Sequence, residues 1–119
     1  MWTTSSTPFP ARAQSELVLL GVLLCAGEDE RANRTLRSRV MRSDFSWGDR
    51  RAIWDCAYAA LEPGGRATLD FVIDRLTKRH GKTFMEWVAA LNACLDAARD
   101  ATDAEGTLDL RPYIECVKR

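Results

Sequence analysis

The tripeptide Gly81-Lys82-Thr83 matches the end of a phosphate-binding loop and is the clearest hint of chemistry in the sequence. That loop reads G-x-x-x-x-G-K-[ST], and its first glycine lets the backbone curl around a phosphate. Leu76 occupies that first position here, on the apolar face of a segment with helical periodicity. The loop also requires a preceding strand, whereas this periodicity predicts a helix that ends at Gly81. A helix C-terminus carries partial negative charge, so we predict no ATP binding and no ATPase activity.

Cysteine and histidine do not form a recognisable site. No two of the four cysteines have the spacing of a zinc site, and the single histidine, His80, cannot form a cluster alone. Each cysteine falls in an apolar helical stretch, which is typical of buried free thiols in a reducing compartment. We therefore predict no catalytic residue, no cofactor, no metal site and no enzymatic activity of this chain. The four cysteines are Cys25, Cys56, Cys94 and Cys116.

Positive charge is concentrated in residues 31–51, which contain seven arginines and two aspartates. Ala32, Leu36 and Val40 recur every four residues and predict an amphipathic helix with arginines on its opposite face. A merely solvated helix face is the alternative interpretation. The candidate partner-contact residues are Arg31, Arg34, Arg37, Arg42 and Arg50.

Negative charge is concentrated in residues 86–109, which contain six acidic side chains and a single arginine, Arg99. The formal net charge of the whole chain is zero, so strong general attraction to nucleic acid is not expected. The separation of the two charges favours docking surfaces for protein partners, with weak or no direct DNA contact.

An apolar run from Leu17 to Ala26 resembles the core of a signal peptide, or even a lipoprotein signal that ends at Cys25. The run is shorter than the roughly 20 apolar residues that span a bilayer. Glu16 precedes it directly, where a signal peptide has positive charge. We interpret the run as a buried helix of a cytoplasmic protein with no membrane segment. Gly21 lowers helix propensity by about 1 kcal/mol, so we expect a neighbouring helix to approach closely there.

Six segments have helical periodicity, and none shows the sustained alternation of a strand. The fold class is therefore predicted to be all-α, a compact bundle of about six short helices. Residues 1–9 are expected to be a flexible lead-in, and residues 10–119 one helical domain whose last helix is cut short by the chain end. Asp49 or Ser46 is expected to cap the third helix and Thr68 the fourth. The expected helices are roughly 11–26, around 32–40, 50–62, from Thr68 to Gly81, 84–98 and from Leu110 onward.

Five groups of residues occur in a recognisable order: Pro10, Glu16, Leu20, Gly21, Leu23 and Leu24; then Asp44, Phe45, Arg51, Ile53 and Trp54; then Gly65, Leu76 and Gly81; then Trp87, Val88 and Leu91; then Tyr113 and Val117. In this order and spacing they resemble the N-terminal head domain of the DnaB-type replicative DNA helicase family, over roughly residues 10–119. The chain departs from the family pattern by an insertion of roughly three residues near 26–35, by a long loop at 99–109, and at three motif positions. Arg50 stands for a histidine, Thr68 for an aspartate cap, and Thr83-Phe84 for a Gly-Gly pair.

The resemblance implies a DnaB N-terminal-domain-like fold and a non-catalytic interaction domain. In that family the domain forms part of the collar of the hexameric ring and contacts primase or the helicase loader during DNA replication. The ATPase domain lies outside these 119 residues, so the ATP-dependent helicase would be a longer parent protein. Most of the helical hairpin that pairs subunits is also missing, which predicts weak self-association.

Two alternatives remain open for the function. The first is the C-terminal helicase-binding domain of primase, which is similar in fold, although the G-x-L-L sequence that begins at Gly21 favours the helicase. The second is a small helical DNA-binding domain that uses the Arg31–Arg51 surface. Phosphate contacts would make its binding fall steeply with salt, unlike a packed protein interface.

Overall fold

All helices and strands assigned in the part that the computed structural model describes, residues 11–24, 30–46, 48–61 and 69–119, are helices. A 3₁₀ turn, Arg42–Asp44, lies between the second and third α-helices, and no strand occurs in these ranges. The all-α prediction and the predicted helix order are confirmed. The helices are α1 (Arg12–Leu24), α2 (Glu30–Arg39), α3 (Asp49–Leu61), α4 (Leu69–His80), α5 (Phe84–Ala101) and α6 (Arg111–Lys118).

The helix caps differ from those expected. The hydroxyl of Ser46 donates to Glu16 instead of capping α3, and Asp49 is itself the first residue of α3. Thr83 is the N-cap of α5, because its hydroxyl oxygen accepts a hydrogen bond from the Glu86 backbone N–H at 3.2 Å. This cap was not predicted from the sequence. The expected lead-in at residues 1–9, the Thr68 cap, Gly65 and Cys25 lie outside the described residues.

Helix α1 is the centre of the core. Val18, Leu19, Leu20 and Leu23 are fully buried, and α1 packs against α2, α3, α5 and α6. A helix with no polar side chain over its last two turns has no face that is suited to solvent exposure, so neighbouring helices must cover it on every side. The interpretation of the apolar run as a buried helix is confirmed, and none of the described helices is long and apolar enough to cross a membrane.

The closest packing of the core is at Gly21. A methyl group there would overlap the backbone carbonyl oxygen of Cys94 and lie 2.7 Å from the Cβ of Ala98. Both residues are buried on α5, the helix with which α1 makes its most extensive contact. The expected close approach is confirmed, and it explains why α1 has a glycine at this position.

The remaining helices each bury one stripe against α1 or against one another. The main contributors are Leu36 and Val40 of α2, Ile53, Trp54 and Ala57 of α3, Val72, Ile73 and Leu76 of α4, Trp87 and Leu91 of α5, and Ile114 and Val117 of α6. Three free cysteines, Cys56, Cys94 and Cys116, are buried among them, as predicted. Burial raises the pKa of the Cys94 thiol to about 11, so this side chain behaves as a neutral, apolar group.

We expect that Gly21→Ala lowers the free energy of unfolding by about 1–3 kcal/mol, the usual cost of adding a methylene group to a filled core. In an uncrowded helix the same substitution stabilises by about 1 kcal/mol, so the sign of the change tests the close approach. Urea unfolding followed by circular dichroism measures it. Adding Ala98→Gly to the variant removes one of the two overlaps and should recover part of the loss. Unchanged or increased stability of Gly21→Ala would contradict the packing described here.

Candidate functional site

A buried carboxylate joins the beginnings of α1 and α3. The side chain of Glu16 is 1% exposed, and one of its oxygens accepts from Arg50 Nη1 at 3.2 Å and from the Ser46 backbone N–H at 3.3 Å. The other oxygen accepts from the Ser46 hydroxyl at 2.8 Å and from Arg12 Nε at 3.2 Å. Burying a carboxylate is costly unless it is paired and hydrogen-bonded, and these four contacts meet that requirement.

The same arginines also bind backbone carbonyls. Arg50 Nη1 lies 3.3 Å from the carbonyl oxygen of Ala13, and Arg12 Nη2 lies 2.7 Å from that of Asp44. Sequence reasoning did not identify the role of Glu16, although an acidic residue directly before an apolar run was visible. We call Arg12, Glu16, Ser46 and Arg50 together the Glu16 cluster. A groove of about 510 Å³ opens over it, lined by Arg12, Ala13, Glu16, Ser46, Gly48, Asp49 and Arg50.

The five candidate partner-contact arginines occupy different settings. Arg50 belongs to the Glu16 cluster and is 28% exposed. Arg42 Nε lies 2.8 Å from Asp55 Oδ2 and so connects the 3₁₀ turn to α3. These two arginines hold segments of the fold together, whereas the other three candidates lie on α2.

Helix α2 presents its arginines away from the core, as the periodicity predicted. Its apolar residues Leu36 and Val40 are buried, and α2 packs against α1. Arg31 and Arg34 are exposed, and Arg37 is half-buried. We call these three residues the α2 arginine surface. A further exposed arginine, Arg39, follows Leu36 by three residues and therefore lies nearer to the buried stripe of the helix.

The tripeptide Gly81-Lys82-Thr83 forms the connection between α4 and α5. Gly81 follows the last residue of α4 with φ of +73°, the left-handed conformation usual after a helix C-terminus. Lys82 Nζ lies 3.2 Å from Asp49 Oδ2, and the Thr83 hydroxyl caps α5. Leu76, at the position of the first glycine of a phosphate-binding loop, is fully buried. All of these residues therefore have structural roles.

The outer face of α4 carries a groove that sequence reasoning missed. Its volume is about 240 Å³, and Phe71, Asp74, Arg75, Lys78 and Arg79 line it. The Phe71 ring is 43% exposed, and the Arg75 guanidinium carbon lies 5.6 Å from its centroid. The only signal in the sequence was the run of basic residues in the last turn of α4. We call this feature the α4 groove.

In the described part of the chain, no group of three or more His, Cys, Asp or Glu side chains is placed to hold a metal ion.

Comparisons with protein-family models, with curated proteins and with solved structures find no match to this chain. Its function is therefore inferred from its own residues and from the order of its motifs.

We expect that Glu16→Gln lowers the free energy of unfolding by about 2–3 kcal/mol. This is somewhat below the usual cost of removing one partner from a buried ion pair, because both arginines keep part of their exposure. Asp96→Asn is the matched control, since Asp96 forms an exposed pair with Arg99 and should change stability by less than about 1 kcal/mol. Equal effects of the two substitutions in urea unfolding would contradict the structural role of Glu16.

We expect no heat of binding when magnesium-ATP is titrated into the chain in a calorimeter. Lys82 is paired with Asp49 and the Thr83 hydroxyl caps α5, so neither side chain is presented to a phosphate. Lys82→Ala serves as the comparison protein. Saturable micromolar binding by the wild type that disappears in Lys82→Ala would show that the tripeptide is a phosphate site after all.

Proposed function

We propose that this chain is a non-catalytic protein-interaction domain of a replicative DNA helicase, similar to the N-terminal domain of the DnaB type. In this proposal it acts in the cytoplasm during DNA replication, contributes to the collar of the helicase ring and contacts primase or the helicase loader. The observation that carries the proposal is the convergence of the motif residues in one core. The buried cluster contains Leu20, Leu23, Leu24, Phe45, Ile53, Trp54, Leu76, Trp87, Leu91 and Val117.

Polar and aromatic motif residues also contact one another across the fold, which further supports the proposal. Phe45 stacks against Trp54 with ring centroids 5.1 Å apart. Asp44 Oδ2 accepts from Lys118 Nζ at 2.9 Å and thereby connects the 3₁₀ turn to α6. Arg50, which stands where the helicase family has a histidine, donates to Glu16. These contacts bring motif positions together within one fold, as the proposal requires.

The α2 arginine surface is the proposed contact with a protein partner. The helix buries only its apolar stripe, so its guanidinium groups are presented at the surface, where they match carboxylates on a partner. A net charge of zero gives the chain no general affinity for polyanions. Acidic protein surfaces are therefore favoured over DNA, and self-association is proposed to be weak.

The proposal is tested by measuring the binding of the purified chain to primase and to helicase loader from the same genome, using fluorescence anisotropy. Arg34→Glu with Arg37→Glu should weaken binding at least tenfold, about 1.4 kcal/mol, while the unfolding midpoint stays unchanged. Arg39→Glu is the matched control, because it reverses a charge on the same helix outside the α2 arginine surface. An equal loss in the control would mean that only the overall charge matters.

Other outcomes of the same experiment would favour the alternatives. Binding to the helicase but not to primase or loader would support a primase-type helicase-binding domain. Tight single-stranded DNA binding that falls steeply between 50 and 300 mM salt would support a DNA-binding domain. A stable hexamer of the chain in sedimentation at micromolar concentration would contradict weak self-association.

A further inference from the structure

An arginine on the outer face of α4 has a buried donor with no partner. Arg75 Nε is shielded from solvent and makes no hydrogen bond. A buried donor without an acceptor is unfavourable, and an acceptor brought by a ligand would remove this cost. Arg75 also lines the α4 groove, so a ligand in the groove lies beside this arginine.

The groove combines unneutralised positive charge with an exposed ring. Phe71, Arg75 and Arg79 are spaced four residues apart and so form one stripe along α4. Lys78 is paired with Asp74 at 3.1 Å, but neither arginine forms an ion pair with any described residue. The guanidinium groups of Arg75 and Arg79, which line the groove beside the Phe71 ring, therefore remain available to a ligand.

Helix stability by itself does not account for this stripe. Cations in the last turn of a helix interact favourably with its dipole, which explains Lys78 and Arg79. It does not act on Arg75, which lies before the last turn and has its guanidinium group over the Phe71 ring. The opposite face of α4, with Val72, Ile73 and Leu76, is already buried in the core, and α4 packs against α3 and α5. Arg75 and Arg79 each follow a residue of this buried face by three positions and so flank it, while Phe71 and Arg79 remain exposed and line the α4 groove.

We propose that the α4 groove binds an acidic peptide segment of a protein partner. A carboxylate of the segment is received by Arg75 and Arg79, whose planar guanidinium groups match the two oxygens of a carboxylate. A neighbouring apolar side chain packs on Phe71. The site lies on a different helix from the α2 arginine surface and is independent of the proposed function.

The chemistry of the groove favours a peptide over a nucleic acid. Asp74 lines the groove and exposed Asp70 lies one turn earlier, so a phosphate backbone would meet two carboxylates. Phe71 is the only aromatic side chain that lines it, whereas single-stranded nucleic acids are bound on several stacking platforms. A peptide, unlike a phosphate backbone, brings backbone N–H groups from which the Asp74 carboxylate can accept hydrogen bonds. The volume of about 240 Å³ suits one or two side chains and falls below the roughly 300 Å³ at which small-molecule pockets begin.

The test begins with selection of a random 12-residue phage-displayed peptide library on the 119-residue chain. The expected consensus contains Asp or Glu beside an apolar residue. A synthetic consensus peptide is then titrated by fluorescence anisotropy into the wild type and three variants. Arg75→Gln with Arg79→Gln should weaken binding at least tenfold, and Phe71→Ala should weaken it severalfold. Arg39→Gln with Arg99→Gln removes the same charge from exposed positions outside both proposed sites and should leave binding unchanged.

Chemical-shift mapping by NMR locates the bound peptide and verifies that each variant is folded. Peptide-induced shifts should be concentrated on α4. The proposal is overturned by a consensus without acidic residues, by equal binding to the Arg75/Arg79 variant, or by shifts confined to other helices. Tighter binding of a 12-nucleotide oligo-dT at α4 would assign the groove to nucleic acid. Shifts at α4 that grow with chain concentration in the absence of peptide would assign it to a second copy.

Discussion

The contact between α1 and α5 at Gly21 is the constraint on which the remaining packing depends. Helix α1 has no polar side chain between Leu17 and Leu24, so it is stable only where other helices exclude water around it. The missing side chain of Gly21 lets the backbone of α5 approach at Cys94 and Ala98. With α1 and α5 this close, α2, α3 and α6 complete the cover on the other sides of α1.

The polar beginning of α1 is attached in a different way. Its buried Glu16 would be costly alone, and it is stabilised by two arginines and by Ser46. The cluster connects the first turns of α1 and α3, while hydrophobic burial along the rest of α1 is non-directional. Directional contacts at one end of a uniformly apolar helix set its rotation and register relative to α3. The same contacts give Arg50 a structural role at this end of α1.

Outside this cluster, the α2 arginine surface and the α4 groove present positive side chains on separate helices. The α2 arginine surface consists of three charged side chains along one helix, whereas the α4 groove is small and combines charge with the ring of Phe71. A broad charged surface contributes mainly to the rate and orientation of association. A groove with an apolar contact and an unpartnered donor contributes specificity. Under the two proposals, one domain contacts acidic protein segments through two separate helices.

The sequence by itself determined the helical class, the order of the helices and the burial of α1, because these follow from local periodicity and from a run with no polar side chain. It also indicated the close approach at Gly21, since a glycine in mid-helix is unfavourable unless packing compensates for it. Only the tertiary structure decided which charged residues are structural. Glu16 and Arg50 are 34 residues apart, and no local pattern indicates their pairing. The α4 groove was likewise not visible, because the stripe of Phe71, Arg75 and Arg79 differs from an ordinary solvated face only once α3 and α5 have covered the opposite side of the helix. Local periodicity predicts which face of a helix is apolar, but long-range contacts decide which of its charges remain unpaired.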